Sequence, residues 1–146
     1  MKPCLIRPAS WNNPLDQKTL KEIRHEVFIE EQGVPESLEW DRFDAVSSHF
    51  LAYQQEQPIG CVRLLATGHI GRMAVLEKWR RQGVATALLE ACENHARAND
   101  ILETRLSAQT QAIPFYEKAG YRIISDPYLD AGILHQDMIK TLRDSH

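Results

Sequence analysis

The chain has 146 residues, of which 43% are apolar and 25% charged, with a formal net charge of -3. This length predicts a single domain over residues 1–146 that can bury a core without disulfides. The composition fits a globular protein in water, and the acidic balance argues against nucleic acid or an anionic membrane as the main partner.

Met1-Lys2-Pro3-Cys4-Leu5 leads into no apolar run, so no secretory leader is expected, and no stretch has the length to span a bilayer. Leu5-Ile6-Arg7 reads as a short strand. Asp16 can cap a helix in which Leu20, Ile23, Val27 and Phe28 share one face. That helix should end near Gly33, since Pro35 forbids a simple continuation. Residues 36–48 are acidic, with Glu39, Asp41 and Asp44 around Trp40 and Phe43, and read as a loop or short helix. Three strand-like runs follow at 49–53, 59–65 and 70–76, separated by turn residues, which predicts an antiparallel meander.

The period then changes. Val84, Leu88, Ala91 and Cys92 form one face of a helix over 83–97. Residues 101–108 alternate as a strand. Residues 112–119 make a short helix, with Pro114 in its first turn and Gly120 at its end. Residues 121–125 and 134–141 are two further strands. The order predicts an α/β (α+β) domain with a mixed, mostly antiparallel central sheet and helices on both faces. The three cysteines, Cys4, Cys61 and Cys92, form no CxxC pair, so neither a zinc framework nor any other metal site is expected. Cys61 and Cys92 read as buried free thiols, which suits a reducing, cytoplasmic setting.

The chemistry is concentrated where the meander meets the long helix. Arg80-Arg81-Gln82-Gly83-Val84-Ala85 is a basic loop with a glycine that opens a helix. A helix start offers unpaired N–H groups and a partial positive charge, and Gly83 and Ala85 let an anion come close. No GxxxxGK[ST] and no GxGxxG is present, so neither a P-loop nor a dinucleotide fingerprint is indicated.

Arg80-x-x-Gly83-x-Ala85, after the strand Met73-Ala74-Val75-Leu76, resembles the [Q/R]xxGx[G/A] loop of the GNAT N-acetyltransferase superfamily. Downstream, Gln109 to Tyr121 resembles that family's helix-and-strand signature, with Tyr116 ahead of Gly120-Tyr121. The first half, from Arg24 to Leu65, and the ending at Ala131–Met138 are similar to a small bacterial branch of the family. The resemblance implies a GNAT fold and acetyl-CoA as cosubstrate. It implies transfer of the acetyl group to a primary amine of a small molecule or protein, by direct attack in a ternary complex. Met73, Ala74 and Val75 would hold the pantetheine arm and the thioester oxygen. Arg80, Arg81, Gln82, Gly83, Val84, Ala85 and Thr86 would hold the pyrophosphate. Gln109 stands where the family often has Asn.

Tyr116 is the candidate acid for the leaving thiolate. The strand over 70–76 carries Arg72 and no acid, so the base or acceptor-binding group comes from Glu31, Glu39, Asp41, Asp44 or His135. The acidic segment would suit a cationic amine. A homodimer through edge strands is also expected from the resemblance. Two other readings remain: an acyl-CoA-binding sensor without turnover, and an acyltransferase similar to acyl-homoserine lactone synthases.

Overall fold

The computed structural model describes residues 4–142, so part of the amino-terminal stretch read for a leader lies outside the described residues. Its first helix, α1 (Pro14–Arg24), is capped by Asn13, whose Oδ1 accepts from the N–H of Leu15 at 3.0 Å and of Asp16 at 3.1 Å. Asp16 is therefore not the cap that the sequence suggests. Its carboxylate accepts instead from the Ser10 N–H at 3.0 Å, tying the strand-to-helix turn to the first turn of the helix, while the Asn13 N–H donates to Ser10 O at 3.1 Å. From His25 to Glu31 the coil widens into a π-helix. It closes through Gln32 N–H on Val27 O at 3.1 Å and Val34 N–H on Phe28 O at 2.8 Å. Apolar spacing cannot signal such a widening, because Val27 and Phe28 satisfy the ordinary period as well.

The acidic segment folds into α2 (Glu36–Glu39) and a single 3-10 turn at Asp44–Val46. The sheet contains β1 (Leu5–Ala9), β2 (Ser48–Gln54), β3 (Gln57–Leu64), β4 (His69–Val75), β5 (Glu103–Gln109), β6 (Arg122–Ile123), β7 (Tyr128–Asp130) and β8 (Ile133–Thr141). The spatial order is β1-β2-β3-β4-β5-β8-β6, with β7 also on β8. Every described pairing is antiparallel except β4 with β5. β7 was not expected. It is three residues long and joined to β8 by Ala131 and Gly132, both at positive φ (52° and 78°), as a tight hairpin requires.

Strand alternation distributes the core to two faces. Leu51 and Cys61 meet Leu20 and Ile23 of α1 and Val27 of the π-helix that continues it. Phe50, Ala52, Val62 and Leu64 meet Val84, Leu88, Leu89 and Cys92 of α3 (Val84–Ala98). Leu20 and Leu88 are fully buried, and a leucine so placed contributes about 1.5–3 kcal/mol. The short helix α4 (Ile113–Lys118) packs behind β5.

One irregularity shapes the site. β4 pairs with β5 only at His69–Arg105 and Ile70–Leu106. The register of β3 against β4 shifts between Cys61 and Arg63, and Arg72 has φ 49°. This bulge bends β4 away, so the two parallel strands part beyond Ile70.

Candidate active site

The wedge between β4 and β5 opens into a cavity of about 400 Å³. Arg72 and Met73 line one wall, Gln109 and Tyr116 the opposite one, and Phe28 and Gln32 of the widened helix close the outer side. His135 and the β7–β8 turn complete it. The Leu76 N–H donates to Ile59 O of β3 at 2.9 Å. By alternation, the backbone groups of Val75 and Met73 then face the opposite edge, where β5 has diverged. Val75 O confirms that direction by accepting from Arg80 Nε at 2.8 Å. The Ala74 side chain is buried on the α1 face.

At the start of α3, Gly83 is the N-cap residue, with φ 84° and no side-chain cap. A Cβ there would meet nothing within 4 Å, so the glycine serves its conformation and keeps the approach clear. The first turn, Val84, Ala85 and Thr86, thus presents uncapped N–H groups, which fits a bound pyrophosphate. Arg81, exposed and also at positive φ (62°), borders this turn. Arg80 is different: its Nη1 and Nη2 donate to Glu31 at 2.7 and 2.6 Å. Its charge is matched by an acid, and its geometry ties the loop to β4 and the first helix. That hydrogen bond holds the Glu31 carboxyl below its ordinary value, against slight burial. Gln82 Nε2 donates to Lys78 O at 3.2 Å within the loop.

Two tyrosines of the downstream block have separate environments. The Tyr121 hydroxyl bonds Thr104 Oγ1 at 2.7 Å and donates to Glu93 Oε2 at 2.9 Å, a buried network completed by Lys140 Nζ on Glu93 at 3.1 Å. Tyr121 is a structural anchor. Tyr116 packs edge-on against Phe115 and Tyr121 and borders the cavity. Burial pushes it up to about 12, with a smaller push from Cys92 and no offsetting hydrogen bond, so the phenol keeps its proton over the working range. Burial likewise raises the thiols of Cys92 and of Cys61, the latter to about 12, so both are inert.

His135 Nδ1 lies 2.7 Å from Ile133 O. A carbonyl can only accept, so Nδ1 carries the proton and a neutral ring has its lone pair at Nε2. Tyr128 stacks on this ring. Tyr128 is itself fixed through hydrogen bonds with Ser107 and Asp137. Sequence reasoning missed this support because it rests on β7. Gln109 Nε2 donates to Gln32 Oε1 at 2.9 Å, bridging the two sides of the cleft.

The acidic segment is not an open negative surface. Arg24, 1% exposed, donates to Glu39 Oε2 at 2.8 Å and Asp44 Oδ1 at 2.7 Å. Arg63 Nη1 reaches Asp41 Oδ1 at 2.8 Å and Asp44 Oδ1 at 3.1 Å. Arg72 meets Glu39 Oε2 and Asp41 Oδ2, each at 3.1 Å. Three arginines thus match Glu39, Asp41 and Asp44 one for one, which removes the charge argument for a cationic amine. Burial pushes Glu39 up, beyond the opposing pull of Arg72 and Arg24. Asp44 is buried too, yet its Arg24 contact holds it below its ordinary value. Of the five base candidates, Glu39 and His135 border the cavity, whereas Glu31, Asp41 and Asp44 are held outside its lining. Among the described residues no cluster is placed to hold a metal ion, and no helix is long and apolar enough to cross a membrane.

The family model of the acetyltransferase (GNAT) domain matches residues 14–142. The chain is 40% identical over 131 residues to a Bacillus subtilis (strain 168) protein whose name assigns it as an acetyltransferase, covering 86% of this chain and 89% of that one. It is also 40% identical over 122 residues to the uncharacterized N-acetyltransferase YjcF of the same organism, covering 81% and 87%. Among solved structures, an acyl-CoA N-acyltransferase from Pseudomonas aeruginosa superposes with a TM-score of 0.85 at 26% identity, covering 95% of this chain and 100% of that one.

Proposed function

The chain belongs to the GNAT acetyltransferase family and is an acyltransferase, and from that premise we propose that it moves an acetyl group from acetyl-CoA to a primary amine by direct attack in a ternary complex. The observation that carries this reading is the parting of β4 from β5, which sets free backbone of β4, the Tyr116 phenol and His135 around one cavity. The donor supplies an activated acyl thioester. The uncapped N–H groups of Val84, Ala85 and Thr86 would bind its pyrophosphate, with Arg81 adding charge and Arg80 and Gln82 holding the loop in shape. The backbone of Met73 and Val75 would hold the pantetheine arm and stabilise negative charge at the thioester oxygen. Gln109, bridged to Gln32, would bound the pantetheine channel.

His135 would take the proton of the attacking amine at Nε2, the position its Ile133 contact leaves basic. Tyr116 would meet the departing sulfur. A phenol raised to about 12 is a weaker acid than an ordinary thiol near about 8.5. Its role is therefore a hydrogen bond to the developing thiolate rather than outright loss of its proton.

The test is release of free CoA thiol from acetyl-CoA across a diverse panel of primary amines, with product masses checked. Amine-dependent release with acetylated product is expected. Binding of acetyl-CoA with no amine-dependent release across the panel would replace this reading with a binding module.

A further inference from the structure

Two arginines of the ionic cluster differ in one respect. Arg24 uses every face of its guanidinium: Nε on Glu39, Nη1 on Asp44, Nη2 on the Glu39 carbonyl at 2.7 Å. Arg63 is 6% exposed, and only its Nη1 is engaged. Its Nε is buried without a hydrogen-bond partner, the lone such side-chain atom among the described residues. Nη2 also makes no hydrogen bond among the described residues, but unlike Nε it is not fully buried. A buried, unpaired N–H of a charged group calls for an acceptor that the folded chain does not itself provide.

Nε and Nη2 share one edge of the guanidinium. Their two N–H bonds run parallel at the spacing of the two oxygens of a carboxylate. Arg63 borders the cavity. Directly opposite it in register on β4 stands Gly71, whose side chain would project to the same face. Gly71 is not in the left-handed region, and a Cβ added there would meet nothing within 4 Å. Neither backbone conformation nor crowding requires a glycine there. Its bare backbone leaves open space on the face of the sheet that it shares with Arg63, in the lining of the same cavity.

We propose that the amine acceptor carries a carboxylate, which binds side-on to the Nε–Nη2 edge of Arg63 through the space over Gly71. This rests on the acyltransferase reading and names its acceptor class: amino acids or amino-terminated acids in place of simple cationic amines. The equal count of arginines and acids in the cluster leaves no surplus negative charge to oppose such a ligand. His135 borders the same cavity, so one acceptor can present its acid group to Arg63 and its amine to the imidazole.

The experiment follows the Arg63 Nε–Hε signal by NMR while the protein is titrated with α-, β- and ω-amino acids. Each is paired with its carboxamide, its decarboxylated amine and its phosphonate analogue. A saturable shift with carboxylates, at least tenfold tighter than with their partners, is expected. Equal response to carboxamide or amine, preference for phosphonate, or silence to every amino acid would overturn the proposal. Two variants extend the test. Arg63→Lys keeps a cation for Asp41 and Asp44 but lacks the paired edge, and Gly71→Val fills the space while leaving Arg63 intact. Each should raise the acceptor KM at least tenfold with a much smaller change in kcat, while acetyl-CoA affinity stays within threefold. An unchanged acceptor KM in both would sink the site. The NMR arm needs no turnover, so failure to acetylate any amine would count against the acyltransferase reading alone. Turnover of amines lacking carboxylates, with a silent Nε–Hε, would count against the carboxylate site alone.

Discussion

Around Arg24, Arg63 and Arg72, side-chain donors meet acids and carbonyls at 2.7–3.4 Å, with a single buried N–H left over. At the Arg80–Thr86 loop the reverse holds. The side chain of Arg80 is spent on Glu31 and Val75, while the first turn of α3 has no side-chain cap. Both regions are rich in arginine, yet one uses charge to hold the first helix against the sheet, and the other leaves backbone donors open for a ligand. Counting basic residues does not separate the two. The separation comes from asking, donor by donor, where each hydrogen bond goes.

The sharpest way to break the contrast is to remove an acid from the closed cluster. Asp44→Ala leaves Arg24 and Arg63 buried without a shared partner and should cost about 3–5 kcal/mol in urea unfolding. A loss under about 1 kcal/mol would show that the cluster is not structural. The sign with pH follows. Asp44 has a depressed value in the fold, set by Arg24 against burial. Its contribution is complete above the ordinary carboxylate range and is lost as pH falls through the depressed value, so Asp44→Ala should flatten the acid limb of the stability curve.

Next comes the open side. Tyr116→Phe should lower kcat about 100-fold, or about 2.7 kcal/mol, with acetyl-CoA affinity unchanged. Unchanged turnover would remove Tyr116 from the chemistry. Gly83→Ala forces a Cβ into the left-handed region and should cost about 1–2 kcal/mol of stability while weakening acetyl-CoA binding. The smallest effect is expected from Glu31→Gln. The Arg80–Glu31 pair is over a third exposed on each side, at 35% and 37%, and should contribute less than about 1 kcal/mol. That contribution belongs to neutral pH and disappears as pH falls through the lowered Glu31 value. If Glu31→Gln instead tightened acetyl-CoA strongly, Arg80 would be a phosphate ligand that Glu31 restrains.

Much of this was legible from residue pattern. The meander, α3 and the glycine at its start follow from period changes and from turn residues, which are local signals. The cap at Asn13 was missed because Asp16, an equally good capping residue, stands three positions later. The π-turn at His25–Glu31 and the strand β7 were hidden because neither changes the apolar period over a readable length. The acids Glu39, Asp41 and Asp44 were visible, but their partners Arg24, Arg63 and Arg72 come from three other elements. Only the fold shows that their charge is already matched. Arg63 had no signal of its own, since an arginine on a strand reads as a solvated charge until its neighbours are known.

The central claim is that the donor binds across the uncapped turn of α3 and along the freed edge of β4. Backbone amide shifts on titration with acetyl-CoA test it most directly. The account predicts the largest changes at Gly83, Val84, Ala85 and Thr86, with a second group at Met73 and Val75, and little change at Asp41 and Asp44. Saturable binding whose shifts centre on the Arg24–Asp44 cluster and spare Gly83 to Thr86 would contradict it.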